Sequence, residues 1–400
     1  MLTKRDLTRV VHKQQEVLNR DQGIPRDSNA KLLPGFATII SGIRRCGKST
    51  LAMQLLKDIS PVYYANFEDL NFAGFQRDDF LRLDAIFKEE LGGKGIFFFD
   101  EIQNIPEWER YVRQLLDQGE KVIVTSSNAS MLSRELGTHL TGRHLTYELY
   151  PFSYREFLRL QQSSHHIDQF EKYLMMGGFP EYLKHGEKEI LVNLFHDIFY
   201  RDIMLRNELR NESAVKLMLQ YIISNIGKET SFNKLKDIIG AGSGNTIQQF
   251  MEHFEAAYLF FNLKKYDYSL KKQMVNPKKM YCVDNAIIGT NAFQFSENKG
   301  HLLENLVFIE LKRRGKEIYY HRGDSECDFI IKEGASVLQA IHVCFDLNSE
   351  NMQRETNGLL NAIKKYNLKE GLILTFDLED RLRIDSLDIE ILPVWKWLLK

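Results

Sequence analysis

The sequence predicts an α/β fold whose amino-terminal part is a parallel sheet, and three observations predict it. Near-continuous apolar runs alternate with amphipathic helical patterns from residue 36 to residue 150, as expected of strands covered on both faces by helices. The first run, ATIIS (37–41), leads into GIRRCGKST (42–50): a glycine, four residues, then Gly-Lys-Ser. Further on, GIFFFD (95–100) reads as a buried strand closed by two adjacent carboxylates, Asp100 and Glu101.

Taken in order, Leu7, Val10, Val11, Val17 and Leu18 recur at helical spacing and predict an N-terminal helix. Gly23-Ile24-Pro25-Arg26 interrupts it. The strands that follow are ATIIS, VYYANF (62–67), GIFFFD, VIVTSS (122–127) and HLTYELY (144–150), with helical STLAMQLLKDI, DDFLRLDAIFKEEL and PEWERYVRQLLDQG between them. Pro151-Phe152 breaks the alternation, and 153–229 reads as helical around a turn at Gly177-Gly178-Phe179-Pro180. In 230–283, FNKLKDIIG ends at Gly240 and Asn245 caps TIQQFMEHFEAAYL. An apolar run and the lysine-rich KKYDYSLKKQMVNPKKMYCVD complete a winged-helix-like layout. Residues 284–400 mix a helix, His301 to Arg313, with short strands. The expected division is 1–152, 153–229, 230–283 and 284–400.

Composition narrows the function classes. The chain is 44% hydrophobic, which permits a sizeable core, and its net charge of -1 supplies no general field for nucleic acid. Cys46, Cys282, Cys327 and Cys344 are scattered without zinc-ligand spacing. The polar N-terminus and the absence of ~18 consecutive apolar residues read as a soluble cytoplasmic chain.

The strand-to-helix loop 42–50 is the phosphate-binding arrangement of a P-loop NTPase. Backbone N–H groups of Gly42, Cys46, Gly47 and Thr50 curl around phosphate oxygens, Lys48 reaches the β- and γ-phosphates, and Ser49 binds Mg²⁺. Asp100 holds Mg²⁺ through water and Glu101 activates the attacking water. Glu68 and Asp69 end a neighbouring strand and face the same edge. Ser127 and Asn128, after the strand inserted between the loop strand and the acidic strand, are both candidates to sense the γ-phosphate, with Asn128 favoured. Arg143 precedes the last strand and could meet a γ-phosphate in its own or a neighbouring subunit.

GIRRCGKST, FFFDEIQN, SSNASML, LTGR, YPFSYREF, GGFPEYL, the RDI of 201–203, ENLVFIEL and ECDFII together carry a resemblance over nearly the whole chain. The sequence resembles the bacterial and archaeal AAA-type ATPases with a C-terminal nuclease-like domain of uncharacterised function, of the DUF4143 type. That resemblance implies an AAA+-like ATPase domain, ATP with Mg²⁺ as cofactors, Asn128 as sensor and Arg143 as a finger-like arginine. For 284–400 it implies a restriction-endonuclease-like α/β domain. Glu304 and Asp328 are kept, but His342-Val343-Cys344 stands where Glu-x-Lys is expected, so cleavage is expected to be lost.

Helix 241–263 lacks Arg and Lys, and its Phe250, Phe254, Tyr258 and Phe261 are expected to pack. Lys264, Lys265, Lys271, Lys272, Lys278 and Lys279, interleaved with Tyr266 and Tyr268, form a basic stretch. It suits a phosphate backbone or an acidic partner, and equally a solvated face. Two functions follow. One is an ATP-hydrolysing switch on a protein or nucleic-acid partner, a homo-oligomer if Arg143 acts on a neighbour. The other is a non-hydrolysing, nucleotide-gated DNA- or protein-binding module. Glu101 favours the first, since nothing else calls for a base there.

Overall fold

The computed structural model describes residues 2–19, 21–129, 140, 142–291 and 299–400. Ser130, Met131, Leu132 and Thr141 of the motifs SSNASML and LTGR lie outside the described residues. Two compact units divide the chain: residues 1–150 with 256–258, and 151–255 with 259–400.

In the first unit, α1 (Lys4–Leu18) starts with a capping box between Thr3 and Asp6 and buries Leu7, Val10 and Val11. Five strands follow: β1 (Ala37–Ser41), β2 (Val62–Asn66), β3 (Ile96–Asp100), β4 (Lys121–Ser126) and β5 (His144–Glu148). Between them run α2 (Lys48–Leu55), α3 (Asp79–Leu91) and α4 (Trp108–Asp117). The sheet order is β2-β3-β4-β1-β5, with every pairing parallel. β1 and β3 are buried along their whole length, which is why they read as unbroken apolar runs. Phe67, Phe80, Phe97, Phe99 and Tyr111 fill one core, with Phe80 stacked on Tyr111 at 4.4 Å. Because β4 is inserted between β1 and β3, the carboxyl ends of the loop strand, β4 and the acidic strand lie side by side. Ligand crevices of open parallel sheets form at that edge.

The second unit opens with α5 (Tyr154–Leu160), α6 (Ile167–Met176), α7 (Pro180–His185) and α8 (Lys188–Asp197). A π-helical stretch, Ile198–Leu205, leads to α9 (Glu212–Ser224). Next come β6 (Glu229–Thr230), α10 (Phe232–Ile239), α11 (Gly244–Ala256), β7 (Phe260–Lys264), α12 (Leu270–Val275) and β8 (Lys278–Cys282). β6, β8 and β7 form an antiparallel sheet in that order. Asn245 lies inside α11 rather than capping it; the Ser243 hydroxyl accepts the Thr246 N–H at 3.2 Å instead. After α13 (Asn285–Asn291) and α14 (Lys299–Arg313) comes a mixed sheet. Its strands are β9 (Glu317–Arg322), β10 (Glu326–Glu333), β11 (Ser336–Cys344), β12 (Glu370–Thr375), β13 (Asp380–Ile384) and β14 (Leu387–Pro393), in the order β13-β14-β12-β11-β10-β9. α15 (Met352–Tyr366) precedes β12 and α16 (Val394–Leu399) closes the chain. The three segments separated on sequence, 153–229, 230–283 and 284–400, thus share one compact unit apart from residues 256–258.

Several motifs that carry the resemblance meet here as structure. The Gly178 N–H donates to Asp284 Oδ2 at 2.7 Å, and the Phe152 N–H donates to Gly178 O at 2.7 Å. Tyr173 donates to Phe152 O at 2.8 Å and Arg313 to Pro151 O at 2.8 Å. A Cβ on Gly177, which sits at φ +64°, would come 1.8 Å from Asp284 Oδ1. With ψ at -155° the position lies in a backbone region essentially confined to glycine, which costs about 1–3 kcal/mol for other residues, and the clash adds to it. Gly177→Ala is therefore expected to lower the melting temperature of the second unit by several degrees, measured by calorimetry.

Candidate active site

Loop 42–47 carries the chain from β1 into α2. The Gly42 N–H donates to Ser126 O at 3.2 Å, tying the loop to β4. Arg45 at φ +61° and Gly47 at φ +100° turn the backbone back on itself, the kind of concavity that gathers N–H groups around an anion. The amino end of α2 adds a favourable dipole. The φ at 47 is what disfavours a side chain there, and a Cβ would also displace the tip of Arg26, 2.8 Å away. Cys46 contributes backbone alone. Its thiol is buried, donates to Leu149 O at 3.4 Å, and is pushed up in pKa by burial. Ser49 and Thr50 lie half-buried on the first turn of α2.

Lys48, 4% exposed, carries the ammonium of the site. Its Nζ is 3.2 Å from Glu101 Oε1 and donates to Ile43 O at 3.3 Å. Beside it the Ser49 hydroxyl donates to Asp100 Oδ1 at 2.8 Å. The Thr125 hydroxyl donates to the same oxygen, and Tyr64 donates to Asp100 Oδ2 at 3.2 Å. Glu101, at φ +52°, leaves the strand sharply. Its N–H donates to Thr125 Oγ1 at 2.9 Å, while its Oε2 accepts from Ser127 Oγ at 3.0 Å and from the Gln103 amide.

Charge and burial compete at each group. Burial pushes Glu101 up, but the Lys48 ammonium, with Gln103, Arg44 and Ser127, outweighs it and holds the carboxyl at about 2. Burial pushes Lys48 down, and Glu101 more than restores it, so the pair is ionised. Asp100 is raised, by burial and then by the Glu101 charge next to it.

The structure brings Lys48, Ser49, Asp100 and Glu101 together. Of the two candidates after β4, it is the Ser127 hydroxyl that meets Glu101. Asn128 is buried, with its N–H donating to Ser126 Oγ at 3.1 Å. Arg143 is a correction as a residue of its own chain's site. Its carbonyl accepts the Ala37 N–H at the start of β1, and its guanidinium donates to Asp117 at 2.6 Å. With β1 rising roughly 3.3 Å per residue, that is about 13 Å below the loop end. Glu68 accepts from Arg44 at 2.6 Å on the loop, whereas Asp69 caps a turn at Asn71. Tyr64, Gln103 and Thr125 were not read from sequence. Thr125 alone left a signal, a polar residue near the end of the strand beside the acidic one.

The second unit holds a different cluster. Lys279 on β8, 1% exposed, donates to Glu304 Oε1 at 2.9 Å and Asp328 Oδ1 at 2.9 Å, and pairs with Glu326. Tyr281 donates to Glu304 Oε1 at 2.6 Å, and the Val343 N–H donates to Asp328 Oδ2 at 2.9 Å. His342 Nδ1 is 2.9 Å from Asp328 Oδ2, and Nε2 is 2.8 Å from Glu355 Oε2. The cation expected from the lysine of Glu-x-Lys is therefore supplied from another strand, by Lys279, while His342 itself stands charged between Asp328 and Glu355. Cys344 is core, its thiol pushed up to about 12 by burial. Lys279 and Lys278 are buried, which removes both from the expected basic surface. Among the described residues no group of three or more His, Cys, Asp or Glu side chains has metal-holding geometry.

The fold and this edge of the sheet define the first unit as a P-loop NTPase-like α/β domain. Residues 35–158 match the family model of an AAA domain, and 167–297 match a domain of unknown function, DUF8612, rather than the DUF4143 type expected. The chain is 33% identical to Uncharacterized protein MJ1544 of Methanocaldococcus jannaschii, over 96% of this chain and 93% of that one. It is 31% identical to an uncharacterized protein of Haemophilus influenzae, over 91% and 94%, and 23% identical to Uncharacterized protein MJ1637 of M. jannaschii, over 90% and 84%. The chain belongs to the family of the first of these proteins, and its AAA domain suggests nucleotide binding and ATPase-like activity. No helix among the described residues is long and apolar enough to cross a membrane.

The His342 environment sets a pH dependence. Burial opposes its charge, but Asp328 and Glu355 raise it from 6.5 to about 10. A raised folded-state pKa stabilises fully below the unfolded value and is lost as pH climbs through the folded one. The second unit's melting temperature is expected to fall between pH 6.5 and about 10, and His342→Gln to flatten that slope in a calorimetric pH series.

Proposed function

We propose that this chain hydrolyses ATP with Mg²⁺ and uses nucleotide state to switch its hold on a protein or nucleic-acid partner. The Lys48–Glu101 pair at 3.2 Å carries the reading. A buried ammonium on a loop shaped for anions holds an internal carboxylate, and a γ-phosphate presents the same charge to the same atom. The donors suit the cofactors: Ser49 hydroxyl and Asp100 carboxylate, 2.8 Å apart, are hard oxygens of the kind Mg²⁺ takes. Mg²⁺ bound there supplies neutralisation of phosphate charge. Lys48 then exchanges Glu101 for phosphate oxygen. Glu101, still held by Ser127 and Gln103, is left to accept a proton from water.

Ser127 joins Asn128 as the candidate for reporting the γ-phosphate. Arg143, away from its own chain's loop, serves a neighbouring subunit, which makes the active form a homo-oligomer. In the second unit, the order helix, short strand, two helices, strand, short helix and strand supports a winged-helix-like segment. The mixed sheet supports a nuclease-like domain without cleavage, because the Lys279 ammonium sits among the carboxylates. Exposed Lys264, Lys271 and Lys272 with exposed Tyr268 are the contact offered to nucleic acid.

Steady-state turnover and ATP titration test this. Lys48→Ala is expected to abolish measurable binding. Glu101→Gln is expected to lose about 10²-fold or more in kcat while binding ATP more tightly, since the competing carboxylate charge is gone. Tight binding without turnover by the unaltered protein would favour the non-hydrolysing module. Arg143→Ala is expected to cut turnover but not ATP affinity, and turnover per chain of the unaltered protein is expected to rise with protein concentration.

A further inference from the structure

We propose that Arg26 is the positioning residue of the phosphate loop, an inference that rests on the nucleotide reading above. Its guanidinium donates to Cys46 O at 2.5 Å and to Tyr150 O at 2.7 Å. A peptide is planar and trans, so its C=O and N–H point in opposite directions. Holding the Cys46 carbonyl outward therefore aims the Gly47 N–H inward, where phosphate oxygens would lie. Without the clamp, rotation of that peptide would turn a carbonyl toward the anion.

Both ends of the clamp are fixed. The Leu149 N–H donates to Ser41 O at 2.7 Å, anchoring the backbone next to Tyr150 to the end of β1. On the other side Gln54, on α2, accepts the Arg26 N–H at 3.1 Å and donates to Gln22 O at 3.0 Å and Ile24 O at 2.8 Å. The segment 22–26 is thus strapped to the helix that the loop begins. Charge adds to geometry, because a second cation stands against the loop at Gly47.

The test compares Arg26→Gln, Arg26→Lys and Gln54→Ala with the unaltered protein, titrating ATP and ADP separately and measuring turnover at saturation. Arg26→Gln is expected to weaken both nucleotides about tenfold or more, with kcat at saturation within about threefold. Arg26→Lys, able to reach one carbonyl at a time, is expected to fall between. Gln54→Ala is expected to weaken binding in the same sense, and its combination with Arg26→Gln to be less than additive. Unchanged affinity in Arg26→Gln, or a loss confined to kcat, overturns the positioning role while leaving the nucleotide reading intact. No ATP binding by the unaltered protein overturns both.

Discussion

An ammonium taken out of water needs a counter-charge, because the desolvation penalty of an unpaired buried ion runs to several kcal/mol. Lys48 meets that requirement through Glu101, and the first unit is arranged around the pairing. The sheet order puts β3 two strands from β1 with β4 between them, so the acid arrives from one strand and the lysine from the loop after another. Glu101 turns out of β3 in a left-handed conformation, anchored by Thr125 through its N–H and by Ser127 through its carboxylate. Asp100, one residue earlier, stays on the strand and faces Ser49. Two neighbouring carboxylates thereby acquire opposite pKa shifts, Glu101 lowered by the Lys48 charge and Asp100 raised by burial and by the Glu101 charge beside it.

The second unit solves the same problem differently. Lys279 is surrounded by Glu304, Glu326 and Asp328, with Tyr281 sharing Glu304 Oε1 and the Val343 N–H and His342 at Asp328 Oδ2. The three carboxylates come from α14 and β10, so the ammonium keeps a counter-charge even when one of them is lost. Lys48 has one carboxylate and one carbonyl, and on the proposed function its loop accepts an anion. The contrast separates an exchangeable ion pair from a locked one. It also explains how a strand with histidine and cysteine in place of an acid and a lysine still supports a dense acidic cluster: the cation comes from another sheet.

What sequence made legible was local. GIRRCGKST lies in the loop after β1 and the first turn of α2, and FFFDE in β3 and the residue after it, so local spacing alone pointed to Lys48, Ser49, Asp100 and Glu101. Resolution failed where a single residue changes the direction of a side chain. At the end of β4 neither Ser127 nor Asn128 is distinguishable by type, and only the backbone bend brings the serine to Glu101. Arg143 stayed open between its own and a neighbouring subunit because adjacency to a strand does not say which end of the sheet it marks. Lys279 and Arg26 left no trace at all. Their partners are up to 49 and 124 residues away, and a lysine in a basic stretch or an arginine in a polar connector looks like surface.

On the proposed function, the pairing also governs when a base exists. While Lys48 faces Glu101, the carboxylate is held at about 2 and has little appetite for a proton. Its burial does not change when the lysine turns to phosphate, and burial is the influence that pushes it upward. Removing the largest opposing charge therefore raises its basicity just when a substrate is present. Ser127 and Gln103 keep it in place through the exchange, because neither of them depends on Lys48. On that reading the ion pair is the lock on hydrolysis, and nucleotide is what opens it.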